Sequence, residues 1–188
     1  MNEVLVLTLI VVASIFVVIS GIIGIYNKLV QAKNAVKNAW AQIDTQLKRR
    51  YDLIPNLIES VKGYMEHEKN TLEMIIKARN SAMTITNDAK AKSKAEGELS
   101  NTLKNLFALS ENYPDLKANQ NFLSLQEELA STENKIAFAR TAYNDAVMLY
   151  MNKKEQFPSN IFAGIFGFGN YEYFEVAENE KGVVKVSF

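Results

Sequence analysis

From Val4 to Ile25 the chain carries no charge and is dominated by valine, leucine and isoleucine. A helix over that run is about 33 Å long at ~1.5 Å per residue, close to the thickness of a hydrocarbon core. The pattern predicts a transmembrane helix over 4–25 behind the short tail 1–3. A cleaved signal peptide fits poorly, because Met1-Asn2-Glu3 has no positive charge, the apolar run is long, and no convincing small-residue cleavage site follows. No proline or glycine lies between Ile25 and Leu53, so the helix is expected to continue unbroken past Tyr26. There Val36, Trp40, Ile43 and Leu47 fall in steps of four, three and four, one apolar stripe. Trp40 on that stripe is expected to anchor a core.

Pro55 interrupts the pattern. Proline disfavours a helical residue before it and suits a first turn, so Tyr51–Pro55 reads as a tight reversal and Asn56 onward as a second helix. Its seam runs through Leu57, Val61, Tyr64, Glu68, Leu72, Ile75, Arg79 and Ala82, then fades over the polar stretch Thr84 to Lys94. A third helix is expected over Glu96–Asn112, with Leu99, Leu103, Leu106 and Leu109 inward and Tyr113-Pro114-Asp115 ending it. A fourth stripe, from Phe122 through Leu125, Leu129, Thr132, Ile136, Ala139, Tyr143 and Ala146 to Tyr150, keeps a heptad-like spacing until Phe157-Pro158. The expected fold class is all-α: an N-terminal transmembrane helix continuing into an up-and-down four-helix bundle over 26–157. A coiled-coil hairpin with a long arm is the competing geometry.

Helix parity brings the end of the fourth helix back to the membrane-proximal side. The segment 158–188 that follows opens with aromatic and aliphatic residues, among them Ile161, Phe162, Ile165, Phe166 and Phe168. Two readings of these residues stand open. They fold back and cap the bundle, or they meet lipid at the headgroup level. At the far end Val184, Val186 and Phe188 alternate with polar residues, a strand period suited to pairing with a partner's sheet edge. A disordered tail is the plainer reading.

Charge adds orientation. Lys+Arg and Asp+Glu both number 21 in 188 residues, a balance that gives no footing for nucleic-acid binding. Lys28, Lys33, Lys37, Lys48, Arg49 and Arg50 follow the span, opposed only by Asp44. The positive-inside rule therefore places the N-terminus outside and the bundle in the cytoplasm, at the cell membrane. Ser20 and Gly24 form a small-xxx-small pair, a weak signal for homo-oligomer packing in the span.

Residues for chemistry are sparse. There is no cysteine and one histidine, His67, with no Glu-x-x-His pair for a bundle metal site. The glycines at 164, 167 and 169 precede no lysine-serine and follow no strand, so they do not cradle phosphate. No catalytic residue, cofactor or metal is expected. The anomaly is polar residues at or beside the seams: Glu68, Arg79, Glu133, Arg140 and Asn144. Buried charge is costly unless paired, so these form either an interhelical network that fixes register or a recognition site between helices.

Several stretches resemble the LemA family: Tyr26-Asn27-Lys28-Leu29-Val30, Ala39 to Asp44, Leu47 to Leu57 with its Arg49-Arg50-Tyr51 and Ile54-Pro55-Asn56, and Val61-Lys62-Gly63-Tyr64 with His67-Glu68. Tyr113-Pro114, Asn119 to Leu129, Thr132-Glu133-Asn134, Ala139-Arg140, Tyr143-Asn144 and Phe157-Pro158 extend the likeness over nearly all the chain beyond the anchor. The resemblance implies a prokaryotic membrane protein with a helical bundle and no established catalytic activity. Together with the residues, it leads to the expectation of a membrane-anchored, non-enzymatic scaffold or adaptor whose partners are the lipid bilayer and other proteins. A ligand sensor or enzyme using the interhelical polar residues is one alternative. A membrane-shaping protein using 161–168 is another.

Overall fold

The computed structural model describes residues 2–86 and 88–175. Among them there are helices and no strand. Helix α1 is Asn2–Lys62, α2 Lys69–Thr84, α3 Ala89–Ser110, α4 Pro114–Lys117, α5 Gln120–Glu155 and α6 Ser159–Ile165, with a 3-10 turn at Glu66–Glu68 before α2. The chain groups into two compact units. Among the described residues, one joins 2–39 with Asp145–Tyr171; the other joins Trp40–Asn144 with 172–175. Helices α1 and α5 contribute to both.

The second unit is a four-helix arrangement of α1 from Trp40, α2, α3 and α5 up to Asn144. Side-chain pairings give its directions. Trp40 meets Tyr143 while Arg49 meets Glu128, so α1 and α5 run antiparallel. Tyr51 meets Arg79 near the end of α2, and Lys92 at the start of α3 reaches Ala82, so each consecutive helix reverses. The up-and-down order expected from the stripes is the order observed. Its core is the union of those stripes: Ile43, Leu47, Ile54 and Leu57 of α1, Leu72 and Ile75 of α2, Leu99, Leu103 and Leu106 of α3, and Phe122, Leu129, Ile136 and Tyr143 of α5. Thr132 sits on the α5 stripe because its hydroxyl donates to the Glu128 carbonyl at 2.7 Å and so buries no unmet donor. Trp40 is half-buried, with its ring 5.3 Å from Tyr143 and 6.2 Å from Phe174.

Helix α1 is continuous through Tyr26, as the absence of breakers implies. It is also continuous through Pro55, which corrects the expected reversal at Tyr51–Pro55. A proline within a helix leaves the carbonyl four residues earlier without its N–H partner. Here that carbonyl belongs to Tyr51, and Arg79 of α2 donates to it through Nε at 2.7 Å. The helix loses one internal bond and gains one from its neighbour. The true reversal comes at Gly63–Met65, where Tyr64 and Met65 both donate to the Val61 carbonyl at 3.0 Å. The expected second helix from Asn56 is therefore the end of α1, a turn, and α2.

The third helix begins at Ala89, seven residues before the expected Glu96. Asp88 caps it, Oδ1 accepting from Ala91 N at 2.8 Å. The polar stretch Ala89–Lys94 looks like surface, yet Lys92 is 3% exposed. Its ammonium donates to the Ala82 and Ile85 carbonyls at 3.0 and 2.9 Å, satisfying the C-terminal end of α2 where the helix dipole favours a cation. Burial pushes that ammonium below its usual pKa, against the opposing pull of Asp44.

The Pro55–Arg79 relation gives a double-mutant cycle read by chemical denaturation. Arg79→Met alone is expected to cost about 1–3 kcal/mol by stranding the Tyr51 carbonyl. In a Pro55→Ala background the restored N–H takes that carbonyl, and the same substitution is expected to cost at least 1 kcal/mol less. Equal costs in both backgrounds would refute the substitution of one donor for the other.

Candidate functional site

The most polar part of the second unit's interior is built around Arg50. The α1 stripe continues from Leu47 in steps of three and four through Arg50, Ile54 and Leu57, so the backbone carries Arg50 inward, where it is 1% exposed. Its Nη2 donates to Glu96 of α3, and its Nη1 donates to Glu133 of α5 and, at 2.9 Å, to Ser100 of α3. Ser100 Oγ in turn lies 3.2 Å from the other Glu133 oxygen. Tyr51 donates its phenolic hydroxyl to the second Glu96 oxygen. Thus one guanidinium ties α1, α3 and α5, and Glu96, with no exposed surface, is held by Arg50 and Tyr51 together.

Burial lowers the Arg50 pKa; the Glu133 carboxylate opposes that shift and the Arg140 charge adds to it. Burial pushes the Tyr51 phenol up to about 12, with the Arg50 charge working the other way. The raised Tyr51 phenol is protonated at neutral pH, and a guanidinium is charged there by its intrinsic chemistry. The arrangement is a paired charge cluster, and its hydrogen bonds point into the protein. It resembles a register lock more than a proton-transfer site, because a general acid or base needs a pKa near the working pH.

The five polar candidates do not form one network. Glu133 belongs to the Arg50 cluster. Arg79 is occupied by the Tyr51 carbonyl and by Asn80 Oδ1 at 3.3 Å. Glu68 accepts from the Tyr113 hydroxyl at 3.3 Å, where α2 begins and α3 has ended. Arg140 lies over the Phe174 ring at 5.1 Å. Asn144 forms a two-way pair with the Phe174 backbone, accepting from its N at 2.8 Å and donating to its O at 3.0 Å. Asn144 and Arg140 thus hold the strap that follows the aromatic segment. Arg50, Glu96 and Ser100 are not among the interhelical polar residues that the sequence pattern points to. For Arg50 the signal was its place on the stripe, which its membership of the Lys48-Arg49-Arg50 run obscured.

In the first unit, Ile161, Phe162, Ile165, Phe166 and Phe168 lie on and just beyond α6. Gly167, at φ +69°, ends that helix in a left-handed residue. Phe168 N donates back to the Ala163 carbonyl at 2.9 Å and Gly167 N to Gly164 at 3.3 Å, a Schellman closure. The closure turns Phe168 inward, 8% exposed, against Tyr26 and beneath Lys33 Nζ. Phe162 is half-buried, while Ile161, Ile165 and Phe166 remain exposed. Val184, Val186 and Phe188 lie outside the described residues. Among the described residues no group of three or more His, Cys, Asp or Glu is placed to hold a metal ion.

The LemA family model matches residues 39–188. Protein LemA of Metamycoplasma hominis is 27% identical over 165 residues, covering 88% of this chain and 75% of that protein. Magnetosome proteins MamQ 2 and MamQ 1 of Paramagnetospirillum magneticum are each 33% identical over 81 residues, covering 43% of this chain and 30% of theirs.

Two outcomes follow from the Arg50 cluster. Arg50→Met, which abandons Glu96 in the core, is expected to destabilise by about 3–5 kcal/mol in urea unfolding. Replacing Arg50, Glu96 and Glu133 together by apolar residues of similar volume is expected to recover most of that loss; no recovery would mean the cluster contributes net stability. The second outcome concerns pH. The Tyr51 pKa is raised on folding, so its contribution is whole below the unfolded value of 10.0 and is lost as pH climbs through about 12. The stability difference between the native chain and Tyr51→Phe should be flat below pH 10 and shrink toward pH 12. Groups common to both chains cancel in that difference, and a flat difference throughout would refute the assignment.

Proposed function

The chain belongs to the LemA family, and from that premise we propose that it is a membrane-anchored, non-enzymatic helical adaptor: α1 crosses the cell membrane, the N-terminus lies outside, and the bundle presents helix faces to other proteins in the cytoplasm. The observation that carries this reading is the exposure of the apolar run of α1. Its most apolar 18-residue window has a mean hydropathy of 2.9 and none of it is buried within the protein. Burying what remains exposed of those side chains from Val4 to Ile23, each roughly half to two-thirds in water, is worth on the order of 10–25 kcal/mol, scaled from about 1.5–3 kcal/mol for each full burial. That is as large as the whole stability of an ordinary domain, about 5–15 kcal/mol, so an apolar surrounding is the consistent medium for this segment.

Three further points support the adaptor reading. In the second unit the Arg50 guanidinium is paired within the protein, to Glu96, Glu133 and Ser100. The basic cluster Lys28, Lys33 and Lys37 follows the apolar run and accords with a cytoplasmic bundle. Phe138 of α5 is 78% exposed and stands beside a shallow hollow of about 390 Å³ lined by Gln42, Thr45, Gln46 and Lys135. An aromatic side chain beside a hollow with a polar rim is the kind of anchor protein interfaces use.

Two measurements test the reading. A reporter fused after Phe188 is expected to be active in the cytoplasm only; activity outside would overturn the orientation. A photo-crosslinking residue at position 138 in native membranes is expected to trap a discrete protein partner, and the same residue at the exposed Asn152 is expected to trap none. Phe138→Ser should abolish the partner's recovery while changing stability by no more than about 0.5 kcal/mol. Turnover of a metabolite by the purified chain, abolished by Glu133→Gln, would overturn the non-enzymatic reading.

A further inference from the structure

We propose that the apolar face of α6 and its flanks, formed by Phe157, Ile161, Ile165 and Phe166, is a second membrane contact that lies in the headgroup region of the bilayer crossed by α1. The inference rests on that crossing and decides, for these four residues, between the two readings that the sequence leaves open.

The placement comes from the first unit. Tyr26 is the residue immediately after the uncharged run of α1, where a spanning helix meets the interface. Its ring packs edge-on against Phe166 at 5.1 Å and against Phe168 at 5.8 Å. The C-terminal end of α6 is thereby held at the level where the span ends. Helix α6 has seven residues and is about 10 Å long, so even its far end stays close to that level. Interfacial helices bury their apolar face about 5–10 Å into the headgroup and acyl boundary, a depth comparable with the whole length of α6.

The chemistry of the face fits the same surrounding. From Gln156 to Tyr171 there is no charged residue. Phe157 is 82% exposed, Ile165 69%, Ile161 51% and Phe166 47%. The fold turns Ala163 and Phe168 inward and leaves these four outward, so the face is not a core that failed to close. Lys33 lies above the Phe168 ring and Lys154 is bound to Asn170, while Lys28 follows Tyr26 by two residues and Lys153 sits in the last turn of α5. An aromatic and aliphatic face with lysines on the adjoining segments suits an anionic lipid surface, where rings sit among headgroups and ammonium groups meet phosphates.

The chain has no cysteine, so a single introduced cysteine labels one site. The full chain is reconstituted in phosphatidylcholine–phosphatidylglycerol vesicles with a nitroxide at Val12→Cys, Ile165→Cys or Glu127→Cys. Collision with oxygen, which partitions into lipid, is compared with collision with a water-soluble nickel chelate. Val12 is expected to favour oxygen strongly, Glu127 to favour nickel, and Ile165 to give an oxygen-to-nickel ratio several-fold above Glu127 and below Val12. A ratio at Ile165 equal to that at Glu127, with Val12 deep, overturns the second contact and leaves the anchor standing. Shielding of Ile165 from both reagents also overturns it, in favour of a second copy of the chain covering the face. A water-accessible Val12 overturns the crossing itself, and the inference with it.

Discussion

The bundle turns on the burial of one guanidinium. Arg50 reaches Glu96 and Ser100 on α3 and Glu133 on α5, so one side chain of α1 is bonded to two other helices at once. Taking charges out of water costs several kcal/mol per ion, and mutual attraction offsets that only when the hydrogen bonds are well met. Here Tyr51 completes Glu96, and Glu133 keeps part of its surface in water. Net stabilisation from such a cluster is small. Its effect is on register. Apolar stripes with steps of three and four are nearly self-similar after one turn, about 5.4 Å, and slide at modest cost. A displaced Arg50 leaves two carboxylates unmatched.

The same logic of placed cations governs the irregular points of the backbone. Among the carbonyls of the second unit without helical partners are that of Tyr51, in the gap Pro55 makes, and those at the end of α2. Arg79 serves the first and Lys92 the second. Both side chains come from a neighbouring helix, so each repairs local backbone and joins two helices in one bond. Exposed pairs such as Arg49–Glu128, at 3.5 Å and half in water, contribute far less.

The apolar periodicity made most of the architecture legible. Leu47, Leu99, Ile136 and Tyr143 are core because their spacing says so, and the uninterrupted stretch after Ile25 does continue as helix. What escaped the sequence escaped for a common reason. Pro55 reads as a break because the donor that compensates it lies 24 residues away in Arg79. Ala89–Lys94 reads as a loop because the value of Lys92 depends on where α2 stops. Arg50 reads as a flanking charge because its carboxylate partners sit on two other helices. Local pattern reports which positions face inward; it does not report which polar group across the bundle meets them. Glu133 stands out by its place beside a stripe, while its partner Arg50 comes to it only through the tertiary fold.

The two units treat the hydrophobic effect differently, and the contrast constrains their surroundings. In the second unit the apolar stripes of four helices face one another and the large side chains along them are buried. In the first, Leu29, Val36, Val147 and Tyr150 are buried, but the run from Val4 to Ile23 and the outer face of α6 stay open. A water-soluble domain rarely exposes contiguous apolar surface of that extent. Nothing in the local chemistry of α6 forbids burial, since the Schellman turn at Gly167 already folds Phe168 inward. The side chains left outside lie at the level of Tyr26, where the apolar run of α1 ends. On the proposed crossing, one chain would meet the same driving force twice, by helix packing in the second unit and by lipid contact in the first.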